Sequence, residues 1–270
     1  MKQFRQFFLS NRLKIFLTIG IDLLILSFIF TSYLYALEIT LTQETICKGT
    51  DYQTIAYHFS SEQEGPTIMI MAGVHGNELA GIEASRKFIV DFMPERGSVI
   101  IIPEANKKAC INKVRAIPLE EGDLNRSFPG DVSSNGINRL AGEIFKIIRE
   151  KKVFFLLDLH ESVDYYYEDS AHYGQTIILD DKFHPILQEI SNYLIKRLNS
   201  IVTESKNYFE IIVKPIHGCS TYEALKTYGI PGITFETCTK IKFSERVAFH
   251  YYCIQSLLEY YNVISSSLLK

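Results

Sequence analysis

The chain contains no tryptophan, and its five cysteines, Cys47, Cys110, Cys219, Cys238 and Cys253, form no Cys-x-x-Cys pair. That spacing excludes a thiolate metal ribbon or a paired redox motif, and the odd count leaves at least one thiol unpaired within the chain. Free cysteines behave as small hydrophobes, so a core position is expected for most of them. Cys238, two residues past Glu236, is given no catalytic role. An excess of charge of one sign is also missing: 28 Lys and Arg stand against 31 Asp and Glu, a net charge of −3. No global basic field points to nucleic acid. No repeat or low-complexity tract interrupts the 270 residues, a length that buries a substantial core in one domain of ordinary α/β size.

Long apolar runs are scarce too, with one exception. Residues 15–37 carry a single charge, Asp22, and about 20 apolar residues suffice to span a bilayer. Lys2, Arg5, Arg12 and Lys14 precede this run, whereas Glu38 and Glu44 follow it. The positive-inside rule then keeps the N-terminus in the cytoplasm and places the rest outside. The expected organisation is a basic cytoplasmic tail over 1–14, a transmembrane anchor over 15–37 and one extracytoplasmic domain over 38–270. The rival is a signal peptide cut after Ala36, giving a secreted protein. Its apolar core is ordinarily only about 7–15 residues, shorter than this run.

The domain is organised around the string GVHGNELAG at residues 73–81. An apolar run at 67–71 precedes it and a helical pattern follows, so it reads as a strand-to-helix turn. His75 and Glu78 stand three apart, a spacing that lets an imidazole and a carboxylate point the same way where a helix begins. Both are good ligands for a divalent metal, zinc above all. Such a pair alone more often marks a solvated helix start, and it gains meaning from what lies downstream.

Residues 98–103 form a second unbroken apolar run, as in a strand of a sheet covered on both faces. The non-periodic stretch 104–135 is long for a loop, which points to function. It holds Arg115 and the string DLNRSFPG at 123–130, where Arg126 offers a planar fork of donors and Asn125 an amide beside it, a pair suited to a carboxylate. Ile137, Leu140, Ala141, Ile144, Phe145 and Ile148 mark an amphipathic helix. A strand at 153–157 then delivers Asp158 and His160 to the point where strand gives way to loop, a usual place for site residues on an open α/β sheet. His160 is the candidate third ligand, and Asp158, on the same strand face, its candidate hydrogen-bonding partner. Further strands are expected at 209–213 and 232–236, the last ending in Glu236. Helices are expected over residues 183–198 and 247–261. Alternating strands and helices predict an α/β domain with a mixed, largely parallel sheet flanked by helices.

Four motifs therefore stand in order: His75-x-x-Glu78, Asp123-Leu-Asn125-Arg126, Asp158-Leu-His160 and Thr234-Phe-Glu236. In this order they resemble the zinc carboxypeptidase superfamily, especially its branch with succinylglutamate desuccinylase and aspartoacylase, over most of residues 67–240. The resemblance implies a mixed eight-stranded sheet and one Zn2+ per chain held by His75, Glu78 and His160. It implies Glu236 as general base, Arg115 as the arginine that polarises the scissile carbonyl, and Asn125 and Arg126 as the grip on a substrate carboxylate. Tyr222 and Tyr228 are the candidates for a substrate-contacting tyrosine. The implied reaction is hydrolysis of an amide bond beside a free carboxylate. Little chain follows Glu236 where the desuccinylase branch has a C-terminal β-domain, so the expected substrates are peptides, cell-wall peptides among them. The alternatives are a deacylase of N-acyl amino acids and, from another class, a non-catalytic anchored module that binds peptides.

Overall fold

The computed structural model describes residues 40–117, 122–182 and 184–265. The expected tail and membrane span at 1–37 lie outside the described residues. Among those described, no helix is long and apolar enough to cross a membrane.

One sheet of eight strands forms the middle layer, in the order β1-β2-β4-β3-β5-β8-β6-β7. The strands are β1 (Thr40–Ile46), β2 (Thr54–Ser60), β3 (Thr67–Ala72), β4 (Ser98–Ile102), β5 (Phe155–Ser162), β6 (Thr176–Leu179), β7 (Glu210–Val213) and β8 (Gly232–Cys238). The central strands β4, β3, β5 and β8 run parallel, while β1, β2 and the β6–β8 pairing are antiparallel. This is the mixed sheet expected from the alternating elements, with the eight strands that the resemblance implies.

Side chains alternate along each central strand, and both faces are covered. Ile68, Ile70, Leu157, Leu159, Ile233 and Phe235 face one layer of the core. That layer is closed by α1 (Leu79–Asp91), α4 (Pro185–Ile201) and α6 (Phe243–Tyr260). Met69, Met71, Ile100, Ile102 and Leu156 face the other layer, under α3 (Gly136–Glu150) and α5 (Ser220–Tyr228). Each large side chain fully removed from water here contributes about 1.5–3 kcal/mol, which is why these runs read as unbroken apolar stretches. All five cysteines are free and buried, as small core hydrophobes should be.

Local chemistry sets the element ends. The short α2 (Lys107–Asn112) begins where the Asn106 side chain accepts from the Ala109 amide at 3.2 Å. It stops at Lys113, whose φ of 53° is left-handed. Pro185 occupies the start of α4, where its missing N–H costs nothing. Gly229 ends α5 at φ 68°.

Two strand ends correct the sequence reading. Strand β5 continues through Ser162, and β8 through Cys238, so His160 and Glu236 lie inside strands rather than at their ends. The two strands lengthen each other, since their pairing extends to Ser162 opposite Cys238. Strand β1 and helix α5 were not expected. β1 is an exposed polar edge strand without an apolar signal. The stretch 104–135 also contains α2 and a 3-10 turn at Leu124–Arg126.

Candidate active site

The site lies where the parallel strands β3, β5 and β8 end. β3 stops at Ala72, and the following turn carries His75 and places Glu78 at the N-cap position of α1. The turn packs so closely on α2 that a Cβ on Gly76 would collide with the Ala109 carbonyl. Parallel pairing of β5 with β8 sets His160 directly beside Glu236. Register partners point to the same face of a sheet, here the face shared with Asp158 and Thr234.

His75, Glu78 and His160 are buried, and their ligand atoms lie within 4.8 Å of one another. Glu78 bridges the two rings: Oε1 is 2.7 Å from His75 Nδ1 and Oε2 is 2.8 Å from His160 Nδ1. The two Nδ1 atoms face each other at 3.2 Å. The far ring nitrogens face carboxylates, His75 Nε2 at 3.2 Å from Asp123 Oδ1 and His160 Nε2 at 3.2 Å from Asp158 Oδ2. The second contact has ion-pair distance but not hydrogen-bond alignment, and Asp158 Oδ2 is held in turn by the Ser220 hydroxyl at 2.5 Å.

Charges in this cluster perturb one another. Burial lowers the basicity of both histidines, but the Glu78 carboxylate on His75, and Asp158 and Glu78 on His160, more than reverse that and raise both. Burial raises the Glu78 carboxyl, and the facing histidines overcome it and hold the group far below the carboxylate range. Asp123 is lowered to about 2, burial being outweighed chiefly by its hydrogen bond to His75. Two imidazoles and one carboxylate converge on one point from two chain segments, the turn after β3 and strand β5, with the outer ring nitrogens facing acids. Those acids favour the tautomer whose Nδ1 lone pair faces inward. Such a donor set fits a divalent metal, and its composition matches known catalytic zinc sites.

The remaining sequence candidates surround this cluster. Glu236 is buried, its Oε2 has no partner, and burial pushes its carboxyl up to about 8, His160 opposing the rise and Glu78 adding to it. Arg115 reaches Glu78 Oε1 with Nη1 at 3.2 Å and Asp123 Oδ2 with Nη2 at 3.9 Å, while its side chain remains 54% exposed. Asn125 is buried with Oδ1 unpartnered, and its backbone N–H donates to Asp123 Oδ1 at 2.8 Å. Arg126 is exposed, with Nη1 donating to the Asn125 carbonyl at 2.5 Å. Gly218 packs on this turn: a Cβ there would sit 2.6 Å from the Arg126 carbonyl oxygen.

The tyrosine candidates stand apart. Tyr228 packs on Phe145 at 5.9 Å between ring centroids and lines a cavity of about 570 Å³ between β1 and α3 that holds none of His75, Glu78, Arg115, Asn125, Arg126, His160 and Glu236. Tyr222 stacks edge-on against His217 at 4.5 Å.

Asp123 as the partner of His75 was not foreseen, although it stands inside a motif already singled out. Ser220 behind Asp158 carried no sequence signal. Nor did the buried group beneath Glu78, where Glu161 meets Arg246, Thr237 and the Ala80 amide.

The chain is similar to known proteins. Residues 64–177 match the family described as Succinylglutamate desuccinylase/Aspartoacylase catalytic domain. An N-alpha-acetyl-L-2,4-diaminobutyric acid deacetylase of Halomonas elongata is 38% identical over 99 residues, covering 36% of this chain and 29% of the relative. A probable aspartoacylase of Acaryochloris marina is 31% identical over 138 residues, covering 47% of this chain and 42% of the relative. The chain thus spans less than half the length of the curated relatives it matches. In fold it resembles the mDAP-bound D,L-carboxypeptidase Csd4 of Helicobacter pylori. That likeness has a TM-score of 0.67 at 20% identity and covers 74% of this chain and 52% of the other.

Proposed function

We propose that this chain, whose residues 64–177 match the Succinylglutamate desuccinylase/Aspartoacylase catalytic domain, is a zinc-dependent amide-bond hydrolase of that branch of the zinc carboxypeptidase superfamily. One observation carries the reading: the buried His75, Glu78 and His160 cluster lies beside a buried Glu236 whose Oε2 has no partner. His75 and His160 would hold the ion through Nδ1 and Glu78 through its carboxylate, an arrangement that leaves a position for water or substrate. Zinc bound there supplies Lewis acidity and makes water acidic near neutral pH.

The chain's own groups do the rest. Glu236 accepts a proton at Oε2 from the attacking water and returns it to the leaving amine. A carboxyl raised by burial suits both duties, since it neither holds nor releases a proton too strongly. Arg115 places a cation beside the cluster, where negative charge grows on the scissile carbonyl oxygen. Asn125 and Arg126 offer an amide and a guanidinium to the substrate's free carboxylate.

The substrate class we propose is a peptide cleaved at its carboxyl end, cell-wall peptides included. The exposure of Arg115 and Arg126 supports a site that admits long substrates. So does the fold shared with a D,L-carboxypeptidase. A second reading, deacylation of N-acyl amino acids, draws on the sequence relatives, a deacetylase and an aspartoacylase. We further propose that residues 15–37 anchor the chain in a membrane with the domain outside. Protease accessibility of the domain in intact cells tests that placement.

The first experiment is metal analysis of the purified protein beside His160→Ala, followed by turnover of matched peptides and N-acyl amino acids. About one zinc per chain, lost in the variant, supports the site. Release of C-terminal residues supports the carboxypeptidase, and release of acyl groups the deacylase. Absence of metal and of zinc-restored activity would leave the non-catalytic binding module.

A further inference from the structure

Glu78 occupies the N-cap position of α1, yet its side chain makes no capping bond to its own helix. Its oxygens are turned to the two histidines instead. The first turn of a helix presents backbone N–H groups that need acceptors, and an N-cap carboxylate would ordinarily supply one. Here the acceptor comes from another strand: Glu161 Oε2 accepts from the Ala80 amide at 2.8 Å.

The same residue also contacts Glu78 and the strand that carries Glu236. The Glu161 backbone amide donates to Glu78 Oε2 at 3.0 Å. Its Oε1 accepts from the Arg246 guanidinium of α6 and, at 3.3 Å, from the Thr237 hydroxyl of β8, next to Glu236. Arg246 is fixed by its own bond from Nε to the Ile241 carbonyl at 3.0 Å, and the Thr237 hydroxyl lies 3.0 Å from His250 Nε2. The Glu161 side chain is 1% exposed. Both its oxygens face donors on the side away from the histidines, so it is neither a ligand nor a base.

We propose that Glu161 is a positioning residue: it caps α1 in place of Glu78 and thereby frees and orients the Glu78 carboxylate for the metal. This rests on the reading of His75, Glu78 and His160 as metal ligands. The chemistry requires a carboxylate, which accepts at both oxygens while Ala80, Arg246 and Thr237 all donate. A glutamine would turn an NH2 group against one of these donors. A leucine would leave the Ala80 amide without its acceptor. In either case the turn between His75 and Ala80 loses the contact that aims Glu78.

The test compares full-length wild type with Glu161→Gln by three measurements: zinc affinity from chelator competition, the visible spectrum of the Co(II)-substituted protein, and the Tm of the metal-free protein. Glu161→Gln is expected to bind zinc about 10–100-fold more weakly, the usual scale for losing a group that orients a ligand, with an altered cobalt spectrum. A residue that only braces the fold would lower the metal-free Tm and leave affinity and spectrum at wild-type values, and that result overturns the proposal. Should Glu161→Gln fail to fold because Arg246 is left unpaired, Glu161→Leu/Arg246→Met removes both charges and the same comparison applies to it. Wild-type zinc affinity in the double variant overturns the proposal. A wild type that binds no zinc defeats the metal-site reading itself, which is a separate outcome.

Discussion

Below the pH at which its two histidines lose their second protons, zinc binding to this site should expel a proton from each, and its affinity should therefore climb with pH. Each histidine ring lies between two acids: His75 between Glu78 at 2.7 Å and Asp123 at 3.2 Å, His160 between Glu78 at 2.8 Å and Asp158 at 3.2 Å. Both are raised above the ordinary histidine value despite burial. Both rings thus keep their second proton to higher pH than a free imidazole does, beside an ionised Glu78. For a raised histidine, the stability this arrangement adds is complete below the unfolded value of about 6.5 and is lost as pH rises through the folded one. A metal ion needs both Nδ1 lone pairs, so it must displace both protons. Glu78, held ionised, has none to release. Below the folded histidine values, two protons per ion correspond to about 2.7 kcal/mol, or roughly 100-fold in affinity, for each pH unit. Chelator competition between about pH 6 and about pH 8, with proton release measured calorimetrically in buffers of different ionisation enthalpy, reads this directly. An affinity independent of pH, or release of fewer than one proton per ion, would refute the reasoning.

Glu236→Gln should keep its zinc and lose about 10²–10⁴-fold in kcat, the usual worth of a positioned base; near-wild-type turnover removes Glu236 from that role. Arg126→Ala should raise KM for substrates with a free carboxylate and leave amidated ones unchanged, which paired substrates measure. Gly218→Ala should push its methyl group against the Arg126 carbonyl oxygen, 2.6 Å away, at a φ of 78°. It should therefore weaken substrate binding while metal content stays at the wild-type level. Asp123→Asn should lower zinc affinity about 10–100-fold by loosening the His75 ring, a loss that chelator competition detects.

Much of this protein could be read along the chain because its signals are local. The apolar runs at 67–71, 98–102 and 155–157 are strands because both sheet faces are covered, and a doubly buried strand needs no polar alternation. The His75 and Glu78 pair is legible for a similar reason, since three residues of a turn entering a helix set two side chains side by side. Strand β1 shows the reverse case: TLTQETI at Thr40–Ile46 is exposed and polar, and it is a strand because it pairs with β2.

The identities of the donors, two histidines and a carboxylate, and their place after buried strands were determined by sequence alone. Which atoms meet was decided by tertiary structure. Pairing of β5 with β8 carried both strands past their expected ends and set His160 beside Glu236. The fold brought Asp123 to His75 across 48 residues and Arg246 to Glu161 across 85. Side chains so far apart in the chain leave no periodic trace. Each such contact depends on burial that forces a charged group to find a partner, and the partner is whichever residue the packed fold delivers.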